Sequence, residues 1–486
     1  MKKITFKILF TFSIISLVSS CTNDFEEANK NTNLITEINS GSVLNPVIYD
    51  LADYNVSKNY DITAQLMQVH IPYPSNTLGV HRYNITTGTG NSTWNNAYKS
   101  LVNLNEMLRV SIQASDVNYE AIALTLRALV MSNLTDMFGD VPFSEAARSE
   151  DGIIKPKFDK QEDIYTQLLA DLEKANSLYV STLNLKYGKD ILYPTTDSKN
   201  ANLNVDNWKK FTNSLKMRIL LRISNRNTNA FSEIKKIIDN PKIYPIFTSD
   251  TESAVLQLSG LAPYLSPWPR AQDYRDSRSF TTFFIDKMVE TNDPRLPVLV
   301  NKATDEKGNS IGYKGVPAAY DGNDSDFNYN VSSPSLTTVT APMKIPFMTY
   351  AEVEFIKAEM AQRGFGGDAK THYNNAVKSA ISFWTGIAPE SQFLEQDKIK
   401  YDGTLERIID QKYFALFFTD YQQWYEYRRT GFPKLPKTSS MLNDGKLPRR
   451  LLYPAAVGNY NPEGYQQAIQ QMGADDINTR VWWDIN

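Results

Sequence analysis

At 486 residues, 42% hydrophobic and 12% aromatic, the chain can bury a large core, as one big domain or as two lobes, and is too apolar for a disordered protein. A formal charge of −3 offers no basic footprint for nucleic acid. Three histidines and one cysteine, Cys21, exclude disulfides within the chain and argue against zinc sites built from several Cys or His; no His-Glu-x-x-His pair or phosphate loop occurs, and no cofactor is implied.

Residues 1–20 read as an export signal: Lys2 and Lys3, an apolar run from Ile4 to Val18, then Ser19 and Ser20 before Cys21. The run is too short to span a bilayer. Val18-Ser19-Ser20-Cys21 has the branched, small, small, cysteine order of a bacterial lipobox, so Cys21 is expected to become the acylated first residue. Losing Lys2, Lys3 and Lys7 with the signal takes the net charge to about −6. No later stretch approaches the roughly 18 consecutive apolar residues of a spanning helix, which leaves the lipid as the expected membrane contact. Residues 21–41 are polar and Asn-rich and read as a tether; 42–486 read as the folded domain.

Val43 to Val69 has helical spacing, with Leu44, Val47, Ile48, Leu51 and Ala52 on one face. A loop region from Tyr73 to Asn91 follows, carrying Tyr73, His81 and Tyr83 just after His70. Trp94, Tyr98, Leu101 and Leu104 open the next helix. From Tyr119 to Phe138, Ile122, Leu126, Leu129, Val130 and Leu134 form one stripe and Ala121, Thr125, Ala128 and Ser132 a second of small residues, which predicts a central helix packed on two sides. Gly139 is expected to close it in the left-handed conformation, and Pro142 cannot continue it. Helical spacing recurs over 159–179, 206–226, 281–290, 351–363, 368–384, 405–418 and 421–428. Between about 244 and 350, prolines, glycines, tyrosines and asparagines dominate, which predicts a loop-rich second lobe; the last fifty residues read as irregular. Helices pairing as 94–138, 161–226, 351–384 and 405–428 suggest a mainly α fold of tetratricopeptide-like pairs that bury their faces by stacking.

The central helix with its sequel LTDMFGDVPFSEA resembles a stretch of the SusD/RagB family, the surface nutrient-binding lipoproteins of Bacteroidetes. Thr291 to Leu296 (TNDPRL), Met348 to Glu359 (MTYAEVEFIKAE), Trp424 to Pro433 (WYEYRRTGFP) and Arg449 to Pro454 (RRLLYP) resemble the SusD-like branch in the same order. The resemblance implies a scaffold of four helix pairs with an inserted ligand-binding lobe, and an outer-membrane lipoprotein that passes its ligand to a SusC-like TonB-dependent channel. Asp24, Glu26 and Glu27 resemble the acidic surface-export signal of such lipoproteins, without the lysine that often precedes it. From Tyr264 to Tyr329 little matches beyond Asp293-Pro294-Arg295, so the ligand, glycan or peptide, is left open.

Binding is expected to use loop aromatics, because sugar rings stack an apolar C–H face on Trp and Tyr while their hydroxyls bond to Asn, Asp and Arg. Tyr73, Tyr83, Tyr264, Trp268 and Tyr320 lack helical spacing and are the candidates. Pro267 and Pro269 hold the backbone extended around Trp268, with Arg270, Asp273 and Arg275 close behind; the alternative is that Trp268 seals the lobe against the scaffold. Two rival functions stand beside capture. A surface glycoside hydrolase needs two carboxylates about 5 or 6.5–9.5 Å apart in one cleft, with Asp136 and Asp140, or Glu352 and Glu359, the obvious pairs. A structural subunit without a ligand site would have no aromatic cleft. Glu352 and Glu359 are expected to act structurally, by capping or by pairing with Arg428 and Arg429. The stretch from Asp321 to Asn328 is rich enough in oxygen for calcium but lacks the glycine of an EF-hand loop and reads as a turn.

Overall fold

The computed structural model describes residues 38–74, 77–187, 189–194 and 203–485. The predicted signal peptide, Cys21 and the tether up to residue 37 lie outside them. Helix α1 (Ser40–Lys58) begins just before the predicted domain boundary and buries Leu44, Val47, Ile48, Leu51 and Ala52, as their spacing requires. It widens into a π-helical turn at Asn59–Thr63 before a short strand, β1 (His70–Pro72).

The first two predicted pairs follow: α2 (Asn91–Ala114) with α3 (Val117–Phe138), and α4 (Gln161–Leu178) with α5 (Leu203–Arg222). From Asn118 to Phe138 every residue of α3 is buried except Arg127. The helix is long and apolar enough to cross a membrane by composition, yet 94% of its most apolar window lies inside the protein. Its small stripe admits close neighbours: Thr125 Oγ1 lies 2.7 Å from Thr212 Oγ1 of α5. A helix absent from the sequence reading, α6 (Ala230–Asp239), packs on α5 through Ile234 and Ile237.

The predicted lobe is pinned at its base. Strand β2 (Ala254–Leu258) pairs antiparallel with a strand almost ninety residues later, so the lobe's two ends close on each other. Within it lie β3 (Arg278–Phe280), which pairs with β1, and α7 (Thr282–Val289), capped by the Thr281 hydroxyl accepting from Phe284 N at 3.2 Å. The closing strand is β4 (Met343–Met348). The scaffold resumes with α8 (Tyr350–Gln362) and α9 (Ala369–Thr385), then α10 (Leu405–Ala415) and α11 (Gln422–Thr430). The C-terminal region is more ordered than its composition suggested. A helix α12 (Pro462–Met472) starts there because Pro462 suits a first helical turn and the Asn461 side chain accepts from Gly464 N at 3.2 Å.

Buried ion pairs tie the pairs together. Arg429 forks onto Glu359 with both contacts at 2.7 Å, as expected, whereas Glu352 pairs with Arg218 of α5 rather than with Arg428. Arg428 is instead enclosed by the rings of Trp424, Tyr425 and Trp483, at 4.4, 4.8 and 4.6 Å.

Gly139 ends α3, but not in the left-handed helical conformation. Its φ of 88° and ψ of −127° form a positive-φ extended state that residues with a β-carbon avoid, and a β-carbon would lie 2.0 Å from Met472 Sδ of α12. Gly139→Val should therefore lower stability by at least about 1–3 kcal/mol from backbone strain alone, read in a urea melt. An unchanged midpoint would show that the α3–α12 junction adjusts freely.

Candidate functional site

The site grows from the end of the β1–β3 ladder. His70, Ile71 and Pro72 face Phe280, Ser279 and Arg278, and the Tyr73 N–H extends the ladder by donating to Ser277 O at 3.1 Å. Tyr73 and Arg278 thus emerge side by side. Opposite them, a single 3-10 turn at Asp324–Asp326 delivers an extended stretch in which Phe327 and Tyr329 share one face and alternate with exposed Asn328 and Asn330. The Tyr320 hydroxyl braces this turn, 2.5 Å from the Asp326 carboxylate and 2.8 Å from Asn323 O. From behind, Arg82 and Ser440 hold Asp321 at 3.3 and 2.7 Å.

The four rings form one cluster. Centroids are 6.4 Å apart for Tyr73 and Tyr320, 6.2 Å for Tyr73 and Phe327, 5.4 Å for Tyr320 and Phe327, and 5.5 Å for Phe327 and Tyr329. Beside them opens a cleft of about 750 Å³, a size typical of small-ligand sites, lined by Tyr73, Phe327 and Tyr329 with Arg275, Arg278, Asp276, Glu306, Asp324 and Asn330. Arg278 lies half beneath it, 4.6 Å over the Tyr60 ring and 3.5 Å from Asp61, and its Nε has no hydrogen-bond partner among the described residues. Burial and the neighbouring Asp324 push the Tyr73 phenol up, and burial with the Asp326 carboxylate does the same for Tyr320, so both stay neutral hydroxyls at any physiological pH. An apolar ring surface edged by hydroxyls, amides, carboxylates and guanidiniums can stack on a flat apolar ligand face and bond to polar groups at its margins.

Of the five aromatic candidates, the structure brings Tyr73 and Tyr320 together. Tyr83 is interior, 3% exposed, with its hydroxyl 3.4 Å from Gln68 Nε2 and its pKa pushed up to about 12 by burial; it has no face open to a ligand. Tyr264 packs on Tyr49 of α1 at 5.4 Å. Trp268 is half-buried among Tyr60, Tyr274 and Phe418, at 5.3, 5.0 and 6.2 Å, and does not line the cleft. Despite the flanking prolines, the ring turns toward the scaffold. The sequence expectation of loop aromatics between Tyr264 and Tyr329 spans Phe327 and Tyr329 without singling them out, and it misses Arg278. The first two carried a signal, aromatics at a spacing of two in an aperiodic Asn/Asp-rich stretch.

The two carboxylate pairs named for hydrolysis have other duties. Asp136 is buried, accepts from Tyr165 and Trp483 at 2.5 and 2.6 Å, and lies 3.4 Å from Arg222. Asp140 accepts from Gln161 N at 2.8 Å, and burial lifts its pKa to about 6. Glu352 and Glu359 hold the buried ion pairs described above. Among the described residues no group of three His, Cys, Asp or Glu is placed to hold a metal.

Residues 32–454 match the SusD-like family model, described as starch-binding and associating with the outer membrane. The chain belongs to the SusD-like family. Solved structures agree on the fold: a chitin-binding protein (23% identity, TM-score 0.78, 92% of this chain and 100% of that one) and SusD homologues from Bacteroides fragilis (25%, 0.78, 92% and 99%) and Bacteroides uniformis (22%, 0.78, 92% and 99%). A search of curated proteins gives no match. In this SusD-like chain, as predicted, helix pairs form the scaffold and the loop-rich lobe interrupts it.

Two predictions follow from the packing around the cleft. Trp268→Ala should cost about 3 kcal/mol or more of fold stability, because it empties an aromatic cluster; weakened ligand binding at unchanged stability would instead make Trp268 a contact. Burial, with Arg82 beside it, holds the His81 imidazole down to about 4, whereas the unfolded chain titrates near 6.5. The neutral ring is therefore stabilising above pH 6.5, and that contribution is lost as the pH falls toward 4, amounting to about 2 kcal/mol between pH 7 and 5. Urea melts of wild type and His81→Phe at both values check this: the variant should lose less on acidification, and equal losses would reject it.

Proposed function

We propose that this protein binds an oligosaccharide in the cleft between β1 and the 324–330 stretch and delivers it to a SusC-like TonB-dependent outer-membrane channel. The observation that carries the reading is the ring cluster of Tyr73, Tyr320, Phe327 and Tyr329 beside an open polar-edged cleft. Family membership supports association with the outer membrane and with such a channel, and the fold shared with a chitin-binding protein agrees with a glycan ligand. Acylation at Cys21 would hold the protein on the cell surface, leaving the lobe free to meet ligand. The chemistry is reversible binding. Asp136, Asp140, Glu352 and Glu359, the carboxylate pairs named for a hydrolase, are engaged within the scaffold, and an aromatic cleft argues against a subunit without a ligand site. A peptide ligand would use similar surfaces, so the test must include both.

Calorimetry of the soluble form, residues 22–486, against panels of oligosaccharides and peptides should show saturable binding of an oligosaccharide. Tyr73→Ala and Phe327→Ala should each weaken it by about 1–2 kcal/mol, roughly 5- to 30-fold, at unchanged melting temperature. Binding of peptides alone would replace the glycan, and affinity unmoved by both substitutions would place the site elsewhere.

A further inference from the structure

A second cavity, of about 640 Å³, shares no lining residue with the cleft. Helices α2 and α4 each pack along α3 but hardly meet each other, which leaves a groove between them. On α2, Leu101, Asn105, Leu108 and Ile112 fall on one stripe facing it; Ile164 and Gln167 line it from α4. Arg127, the one position between Asn118 and Phe138 of α3 that is not buried, and Phe143 line it from α3 and from the loop after it. Arg127 is thus the one charged side chain that α3 presents to this groove.

The groove is chemically two-sided. Ile112 is 52% exposed and, with Leu108 and Phe143, offers apolar surface to solvent. Arg109 and Arg148 also line it, the first bonded to Glu106 and Gln113 and the second to Asp151. Among the described residues the Arg127 guanidinium makes one hydrogen bond, Nη2 to Asp171 at 2.7 Å; its Nε is buried without a partner, and its face lies 5.8 Å from the Phe143 ring. Of the two lining carboxylates, Asp163 is exposed at the rim, while Asp159 is saturated by Phe143 N, Ser144 N and Ser144 Oγ at 2.8, 2.8 and 2.7 Å. The groove thus sets the guanidinium groups of Arg109, Arg127 and Arg148 beside an apolar wall.

We propose that this groove is a second binding site, for a small amphipathic carboxylate: an anionic head on Arg127 with an aliphatic tail along Leu108, Ile112 and Phe143. A charge-assisted bond to a half-engaged guanidinium supplies orientation and tail burial supplies affinity, so neither part alone should suffice.

Octanoate is the probe, with octanol lacking the charge and acetate lacking the tail, titrated calorimetrically into residues 22–486. Octanoate should bind saturably and both controls at least tenfold more weakly. Arg127→Gln should weaken octanoate at least tenfold, and Ile112→Glu, at an exposed position that does not endanger folding, should abolish binding by setting a carboxylate in the tail's path. Both variants should leave titration of the cleft with oligosaccharide unchanged. No saturable octanoate binding, octanol binding as tightly as octanoate, or octanoate binding intact in Ile112→Glu would each overturn the proposal. If Arg127→Gln melts early through loss of its Asp171 pair, Ile112→Glu decides.

Discussion

The scaffold depends on one buried carboxylate, Glu426 of α11. It lies 3.2 Å from Arg222 of α5, 2.9 Å from Lys412 of α10 and 2.8 Å from Arg429 of its own helix. Burial alone would raise its pKa, yet these three cations hold it well below the usual carboxylate range. Two of the cations lead onward: Arg429 to Glu359 of α8, and Arg222 to Asp136 of α3, which in turn gathers Tyr165 of α4 and Trp483. Helices from all four pairs thus meet in one charged chain inside the core. Such a chain is weak evidence for stability, because apolar residues of equal volume would often do as well; what it fixes is register, since a shift of one turn would strand several charges without partners, at about 3–5 kcal/mol for each broken pair. A scaffold held in one register can carry a lobe of loops without sharing its irregularity.

That division of labour explains where ligand chemistry is possible. Around Asp136 and Glu426 the carboxylates are held by neighbouring cations and ring donors inside the core, away from solvent. In the lobe the backbone is held by short pairings, among them β2 with β4 at its base, β1 with β3 at the cleft, Thr304 with Asn330, and Ser279 Oγ to Ser332 O at 2.7 Å. Side chains beyond those points, such as Phe327 and Asn328, keep free faces. Rigid anchorage with unspent side chains is what a binding site needs and what the helical core cannot offer.

The scaffold was legible in the sequence because its signal is redundant. Losing one apolar residue from the α3 stripe would not hide a pattern repeated over five turns, and the Thr281 and Asp368 caps lie where their composition puts them. Short strands have no such redundancy. Ala254 to Leu258 alternates buried and less buried positions, but its partner is almost ninety residues away, and no local feature announces the pairing. The helix at Pro462–Met472 was readable from Asn461-Pro462 and from Tyr465, Ala468, Ile469 and Met472, and was masked by its irregular surroundings. The ion network was legible only in part: Glu359 with Arg429 follows from motif charge, while Glu352 with Arg218 joins helices that nothing in the sequence ties together.

The cleft shows the same limit more sharply, through Trp268 and Phe327. Both are aromatic, both lie in loops without periodicity, and Trp268 has the stronger local argument because prolines on both sides hold its backbone extended. An extended backbone constrains where a ring starts, not where it points. The Trp268 ring finds Tyr60, Tyr274 and Phe418 within reach and gains more by joining them than by facing water. Phe327 follows a turn whose carboxylate, Asp326, is spent on the Tyr320 hydroxyl and whose neighbours Asn328 and Asn330 are exposed, so the chain there runs along the surface and its rings can rest only on each other. Whether a loop aromatic becomes core or platform is decided by the nearest unfilled apolar surface, which is a property of the assembled fold and not of the residues beside it.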